Sequence, residues 1–372
     1  MKKTEDRLFA IVPPGLEGIC AGELRALDLA GVDVVAGGVE FSGGLRELYL
    51  ANLWLRSAGR VVVRLGSLRS RDFPDFYRKL VRLPWGRFLR ADTAVQVRAT
   101  SHASRLIHTG RIAETVAAAI NRALGREASP QAGLTQLVLV RFDDDLCQIS
   151  IDSSGELLHR RGYREETAQA PLRETLAAAI LLQLQWDGST PLVDPMCGSG
   201  TFVIEAALLA RNRPPGRKRS FAFMHWPRYR PGLWQALLLE AARQARPLAV
   251  ALVGSDRDPR AVAAARRNAE RAGVAEDVRF DCVELARLSA PAATGLMLAN
   301  PPYGARLDAG SDLTPLYREF GQAWRGAFAG WRAALFCPAD APLGATGFEL
   351  RPLAMLHNGG LPVTLFVGET KK

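Results

Sequence analysis

Apolar and polar positions change rhythm part-way along the chain. In the first half, short alternating runs predict strands at residues 8–12, 39–41, 61–65, 94–99, 137–142 and 146–151, the last two paired around Asp143-Asp144-Asp145. Helical spacing marks residues 18–27 and 45–55, with apolar side chains at 45, 48, 49, 53 and 55. Ile112, Val116, Ile120 and Leu124 form a third helical stripe, which Gly125 closes. Together these describe an α+β region of small sheets covered by helices. Residues 155–171 are polar, hold Arg160, Arg161 and Arg164, and read as a connection. Pro171 suits the first turn of a helix that runs to about Gln185. Beyond it, strands at 191–194, 249–256, 278–283, 296–299 and 333–336 alternate with helices, which predicts an α/β, doubly wound, mainly parallel sheet. Strands at 348–356 and 363–367 flank His357-Asn358-Gly359-Gly360, where Asn-Gly signals a hairpin.

A length of 372 residues exceeds one ordinary domain and suggests two or three. With 48% hydrophobic residues the chain can build real cores, so wholesale disorder is excluded. The longest apolar runs, such as 176–182, fall short of a membrane span, and the N-terminus shows no signal-peptide core. Five cysteines (20, 147, 197, 282, 337) lack a CxxC spacing, and five histidines lack ligand spacing, so no disulfide framework or metal is expected. A soluble, reduced, cytoplasmic protein follows.

The formal net charge of +10 points to an anionic partner, with nucleic acid first. The charge is clustered. Between Arg56 and Arg111 stand 13 basic residues against Asp72, Asp75 and Asp92; between Arg211 and Arg230 stand seven and no acid. The remainder is net acidic. Both islands are candidate phosphate contacts, with Arg78, Lys79 and Arg82 as representatives of the first. The polar segment 100–110, with His102, Arg105 and His108, is a further candidate contact or an ordinary surface loop. In the second island Phe221, Phe223, Trp226 and Tyr229 interleave with the arginines; they either stack on bases or pack a core, and packing is favoured for Phe221 and Phe223.

Chemistry concentrates at the strand ends of the second half. Asp194-Pro195-Met196-Cys197-Gly198-Ser199-Gly200-Thr201 closes one strand and opens a helix, so its glycines let backbone approach a ligand at a helix N-terminus. Val203 stands where a dinucleotide fingerprint wants its third Gly, and no Walker A lysine follows, so dinucleotides and ATP fit poorly. Asp256 ends the next strand, where a carboxylate matches a ribose diol; Asp258 reads as the cap of the following helix, with Pro259 at its first position. Asp281 and Glu284 compete for the adenine edge, and Glu284 lies further toward the ligand side.

Asn300-Pro301-Pro302-Tyr303-Gly304 after an apolar strand is the most specific signal. Two prolines fix φ and remove donors, leaving carbonyls and one amide at the sheet edge. The Asn300 side-chain oxygen and the Pro301 carbonyl can accept from an exocyclic or amide nitrogen, draw it toward sp³ geometry and aim it at an electrophile. Tyr303 can stack on a planar substrate. Arg306, just beyond, is a phosphate or base-positioning candidate. Cys337 has no evident activating partner and reads as a core thiol.

The motifs at 194–201 and 300–304 resemble those of S-adenosylmethionine-dependent amino-methyltransferases. Residues 158–164 and 170–178, with Asn358-Gly359 in the final hairpin, narrow the resemblance to THUMP-domain RNA guanine-N2 methyltransferases. That resemblance implies a ferredoxin-like domain at 1–55, an RNA-binding THUMP domain at 56–155, a linker at 156–170 and a Rossmann-like class I methyltransferase domain at 171–372 with a seven-stranded, mostly parallel sheet. It implies S-adenosylmethionine bound around Asp194, Pro195, Cys197, Gly198 and Gly200 and by Asp256, with Thr201 and Glu284 (at the adenine) as the further cofactor contacts read from the residues themselves. It implies guanine N2 presented to Asn300, Pro301, Pro302 and Tyr303, and structured RNA (23S ribosomal RNA slightly ahead of transfer RNA) as partner. Met196 departs from the Phe common in the family. A single-function monomer without metal or membrane contact is expected. An N6-adenine or other amino-methyltransferase acting on nucleic acid, or a non-catalytic RNA-binding scaffold, is the alternative.

Overall fold

The computed structural model describes residues 5–127, 133–164, 172–303 and 312–369. They form two compact units: Met1–Val12, Cys20–Leu158 and Arg219–Leu239 make one, Pro13–Ile19, His159–Lys218 and Glu240–Lys372 the other.

The first unit carries β1 (Asp6–Ile11), α1 (Glu17–Ala26, which begins in the other unit), β2 (Ala30–Val35), β3 (Gly38–Gly43), α2 (Leu45–Trp54), β4 (Arg60–Arg69), α3 (Phe73–Val81), β5 (Ala94–His102), α4 (Thr109–Ala123), β6 (Thr135–Asp143) and β7 (Leu146–Asp152). Its strands make one seven-stranded sheet in the order β2-β3-β1-β4-β7-β6-β5, where small separate sheets were expected. The reason is β4. Its ten residues pair with β1 from Arg60 to Arg64 and with β7 from Val62 to Arg69. Gly66 and Ser67 end the apolar run that sequence periodicity reads, but the backbone ladder continues past them through a register shift. Helix α3 escaped the periodicity because only Phe76 and Leu80 are buried. Its start is nonetheless well specified: Asp72 accepts from the Asp75 N–H at 2.8 Å, and Pro74 sits in the first turn.

Residues 219–239 also belong to this first unit, although they lie between two strands of the second half. Phe221 stacks on Phe223, Phe223 on Tyr49 of α2, and Trp226 meets Phe88 edge-on. The Trp226 indole donates to Gln136 Oε1 at 2.8 Å, so its burial orphans no donor. Stacking on bases is therefore excluded for Phe221, Phe223 and Trp226, which are core residues.

The second unit runs α5 (Glu174–Gln183), β8 (Leu192–Asp194), α6 (Thr201–Ala210), α7 (Pro231–Arg243, most of it in the first unit), β9 (Leu252–Asp256), α8 (Pro259–Ala272), β10 (Arg279–Cys282), β11 (Leu296–Ala299), α9 (Thr314–Arg325), β12 (Arg332–Cys337), β13 (Arg351–Asn358) and β14 (Leu361–Glu369). The sheet order is β10-β9-β8-β11-β12-β14-β13; the first five strands are parallel, β14 pairs antiparallel with both β12 and β13, and β14 alone therefore runs against the rest. Helix α5 starts at Glu174 after Arg173, and Pro171 lies outside the described residues. Helix α8 starts and stops as its sequence dictates. Asp258 accepts from the Arg260 N–H at 2.9 Å, Pro259 leads, and Gly273 takes the left-handed conformation at φ +71°. One face of the sheet buries Met297, Ala299, Leu335, Phe320, Trp324 and Trp331. Gly295 is required there, because a Cβ would stand 2.6 Å from the Trp331 ring. Among the described residues no helix is long and apolar enough to cross a membrane.

Candidate active site

From β8 the chain moves out to β9 and β10 on one side, then returns to β11 on the other. The C-terminal edge between β8 and β11 is thus the topological switch point, where open α/β sheets hold ligands. The registers bring the chemistry to this edge. Met297 pairs with Val193, so Asp194 is level with Leu298, and Asn300 stands just past the end of β11. Gly254 pairs with Asp194, which puts Asp256 two residues beyond it, and Cys282 pairs with Asp256, which puts Glu284 beyond that strand's end.

The loop between β8 and α6 is held by backbone bonds. The Cys197 N–H donates to the Ser255 carbonyl and the Gly200 N–H to the Cys197 carbonyl, both at 2.8 Å. Gly200 caps α6 at φ +83°, and a Cβ there would meet Ala265 and the Phe280 ring at 3.0 Å. Its missing side chain thus serves packing of the loop onto α8 and β10 as well as backbone geometry. A Cβ on Gly198 would meet nothing within 4 Å; its φ of +52° accounts for the residue type. Thr201, Cys197 and Pro195 are buried, and Met196 is half-buried.

Two carboxyls face this loop. Asp256 accepts from the Gly198 N–H at 2.9 Å with one oxygen and from the Asp258 N–H at 3.0 Å with the other. It is fixed in place, and each oxygen keeps capacity for a further bond. Asp194 is buried and accepts from the Met196 N–H at 3.1 Å. Burial pushes its carboxyl well above the usual range, and the nearby Asp256 charge adds to that. A cationic ligand group beside Asp194 would relieve both causes. On β10, Asp281 is engaged by Arg279 at 2.9 Å, whereas Glu284 is exposed at the turn after the strand.

Asn300 and Pro302 are half-buried; Pro301 and Tyr303 are buried. The Tyr303 hydroxyl accepts from the Asn358 side-chain amide at 2.9 Å. Tyr303 is only 7% exposed, so little of its ring is open to a stacked base in this structure. Gly304 and Arg306 lie outside the described residues. Burial pushes the Cys337 thiol up to about 11, which suits a core residue and not a nucleophile.

The polar stretch before α5 supplies a support for this loop that sequence reasoning missed. Arg164 donates to the Thr201 hydroxyl at 2.6 Å and to the Leu172 carbonyl at 2.8 Å, and its Nε lies 3.4 Å from Glu174. Tyr163 donates its hydroxyl to Glu205 of α6 at 3.1 Å, and Arg161 pairs with the same carboxylate at 3.6 Å. Arg271 of α8 donates to the Tyr163 carbonyl and to Asn268, whose amide donates to the Ser199 carbonyl. Arg161 and Arg164, in the stretch that reads as a polar connection, are packed against the helices behind the loop. Three arginines in five residues read as a polar linker; only the buried acids Glu174 and Glu205 downstream hinted otherwise.

Arg78, Arg82 and Arg105 are exposed and Lys79 half-buried in the first unit. Arg78 and Lys79 both lie beside Asp75, at 3.6 and 2.7 Å. The Arg105 N–H donates to Asp145, which also takes Arg71, so this loop is tied to the β6–β7 turn. The second island divides between the units. In the second unit Arg213, Arg217 and Lys218 donate to the carbonyls of Gly273, Ala272 and Arg271 at the C-terminal end of α8, and Arg211 pairs with Asp277. In the first unit Arg219 donates to the carbonyls of Glu156 and Leu157, and Arg228 pairs with Asp6. Most of this island therefore closes helix ends and loops rather than forming one open phosphate patch.

A family model described as an RMKL-like methyltransferase domain matches residues 161–347, more than half of the chain. The chain belongs to this methyltransferase family. Models for an RlmL ferredoxin-like domain and a THUMP domain match residues 7–62 and 70–152. A Synechocystis protein named as an RNA methyltransferase is 35% identical over 96% of this chain and 95% of its own length. A ribosomal RNA large subunit methyltransferase K/L of Syntrophotalea carbinolica is 37% identical over 96% of this chain, which spans 53% of that relative. Among solved structures of the family's fold, a methyltransferase-named protein, SMU.472, bound to S-adenosylhomocysteine, is 31% identical, with a TM-score of 0.89 over 100% of this chain and 99% of that one. A Listeria monocytogenes protein named as a predicted N6-adenine-specific DNA methylase is 30% identical, also with a TM-score of 0.89, over 99% of this chain and 97% of that one.

Proposed function

We propose that the protein transfers a methyl group from S-adenosylmethionine to the exocyclic N2 of a guanine in structured RNA, with large-subunit ribosomal RNA ahead of transfer RNA. The observation that carries this reading is the meeting of Asp194, the Gly198–Gly200 loop, Asp256 and Asn300 at one switch-point edge. The residues present fit the cofactor by their chemistry. Asp256 offers a fixed carboxylate for a ribose diol, the raised carboxyl of Asp194 favours a cationic methionine end, and Glu284 is the acid left for the adenine once Arg279 has engaged Asp281. S-Adenosylmethionine, when bound, supplies an electrophilic methyl on a sulfonium whose leaving group departs neutral.

The remaining work falls to the chain. The Asn300 oxygen and the Pro301 carbonyl accept the N–H groups of the target amine and concentrate its lone pair on nitrogen, while Pro302 holds the turn rigid. Tyr303 supplies the plane for the base. No strong general base is needed before transfer, because the amine loses its extra proton only after the methyl has arrived. Arg78, Lys79, Arg82 and Arg105 contact phosphates of the RNA, a role shared with Arg306 just after the Asn300–Tyr303 motif in sequence.

N6-adenine transfer is the second reading. The name given to the Listeria protein favours it, and the same Asn300 geometry serves both amines. The two differ in product. Purified protein, labelled S-adenosylmethionine and bulk RNA, followed by digestion to nucleosides, should yield N2-methylguanosine. N6-methyladenosine, or label in DNA alone, would replace the first reading by the second.

A further inference from the structure

We propose that Asn358, on the C-terminal hairpin, is a positioning residue that fixes the plane of Tyr303 against which the target base is placed. This rests on the reading of Tyr303 as the base platform, and it explains a residue whose sequence signal had another meaning. Asn-Gly between strands suggests an Asn that accepts a left-handed turn. In the structure that duty falls on Gly359 and Gly360, at φ +61° and +91°, while Asn358 ends β13 opposite Leu361. The turn itself does not call for an asparagine.

The side chain has a different use. Asn358 is 8% exposed between the exposed His357 and Gly359, and its Nδ2 donates to the Tyr303 hydroxyl at 2.9 Å. A buried primary amide is costly unless bonded, so this contact accounts for both its burial and its identity. The topology explains how the two meet. Thr364 pairs with Cys337 at the end of β12, and β14 runs opposite to it, so the hairpin tip projects past the C-terminal edge of the sheet. That is the edge on which the 300–303 turn stands. Tyr303 is thus held at its backbone by the Pro301-Pro302 turn and at its hydroxyl by Asn358. Losing the hydroxyl bond removes one restraint on the ring, and a misaligned platform loses rate more than cofactor affinity.

The test uses tritiated S-adenosylmethionine and RNA extracted from a strain deleted for the gene, with the full-length wild type, Asn358→Ala, Tyr303→Phe and the double variant. Each single variant is expected to lower kcat about ten-fold, the worth of one oriented hydrogen bond, with S-adenosylhomocysteine affinity unchanged. The double variant should fall no further than Tyr303→Phe. Asn358→Asp, whose carboxylate can accept the phenol O–H, should recover most of the rate. If Asn358→Ala does not fold, Asn358→Ser, too short to reach the hydroxyl, carries the same expectation. Full activity of Asn358→Ala, or losses that multiply in the double variant, would overturn the inference while leaving the RNA reading intact. A wild type that labels no RNA would overturn that reading and this inference with it.

Discussion

Replacing Arg164 by Met leaves the Glu174 carboxyl buried without its cation. The two side chains are 8% and 4% exposed and stand 3.4 Å apart. Burial raises Glu174 from its ordinary 4.5, and the Arg164 charge is the largest influence pulling it back. Without Arg164 the carboxylate stays charged at a cost of about 3–5 kcal/mol, or it takes up a proton. At pH 7, protonating a carboxyl of ordinary affinity costs about 3.4 kcal/mol, and this is a ceiling because the native value already lies above 4.5. The lost bond to Thr201 adds about 1 kcal/mol. The expected loss is therefore at most about 4.4 kcal/mol at pH 7, a large share of a typical total of about 5–15 kcal/mol. The charge part shrinks by about 1.4 kcal/mol per pH unit on acidification, because the proton becomes cheaper, and is roughly 1.4 kcal/mol at pH 5.5. Urea unfolding of wild type, Arg164→Met and Arg164→Met/Glu174→Gln at both pH values measures this. The double variant should regain all but the hydrogen-bond share, and S-adenosylhomocysteine should bind Arg164→Met more weakly as Thr201 relaxes. A loss independent of pH, or no recovery in the double variant, would refute the reasoning.

Asn300→Ala should lower turnover on the order of a hundred-fold or more, with little change in cofactor affinity by calorimetry; unchanged turnover would remove Asn300 from the reaction. Reversing charge at Arg78, Lys79 and Arg82 should raise KM for RNA and flatten its salt dependence by about one unit of slope per lost phosphate contact, while unaffected RNA binding would leave this island a plain surface. His159 is pushed down from 6.5 to about 4, chiefly by burial and then by the charges of Arg173, Arg161, Arg160 and Arg164. Its native imidazole is neutral while the unfolded one titrates near 6.5, so stability should rise with pH between about 4 and 6.5, and His159→Gln should flatten that slope in thermal melts.

What the sequence reveals depends on how local the determining physics is. Helix α8 is legible to the residue because its cap, its proline and its left-handed glycine are all local. The parallel strands are legible because burial on both faces writes uninterrupted apolar runs, as in Leu296–Ala299. The loop after β8 and the turn at Asn300 are legible because glycine and proline fix backbone directly. Long-range pairing leaves no such trace. Nothing near Phe223 says that its partner is Tyr49, and nothing in the arginines at 161 and 164 names Glu205 and Glu174. The second basic island misleads for the same reason, since carbonyls at the end of α8 attract cations as phosphates do. Asn358 carries a local signal with the right element and the wrong cause: the hairpin is there, but its glycines make the turn and its asparagine reaches Tyr303.

The central claim is methyl transfer to a guanine amine in RNA at the Asn300 edge, and mass-spectrometric mapping of modified guanines in a deletion strain tests it most directly. The account predicts that N2-methylguanosine disappears from one position of ribosomal or transfer RNA, returns with the wild-type gene, and stays absent with Asn300→Ala. An unchanged guanine modification profile, or full restoration by Asn300→Ala, would contradict it.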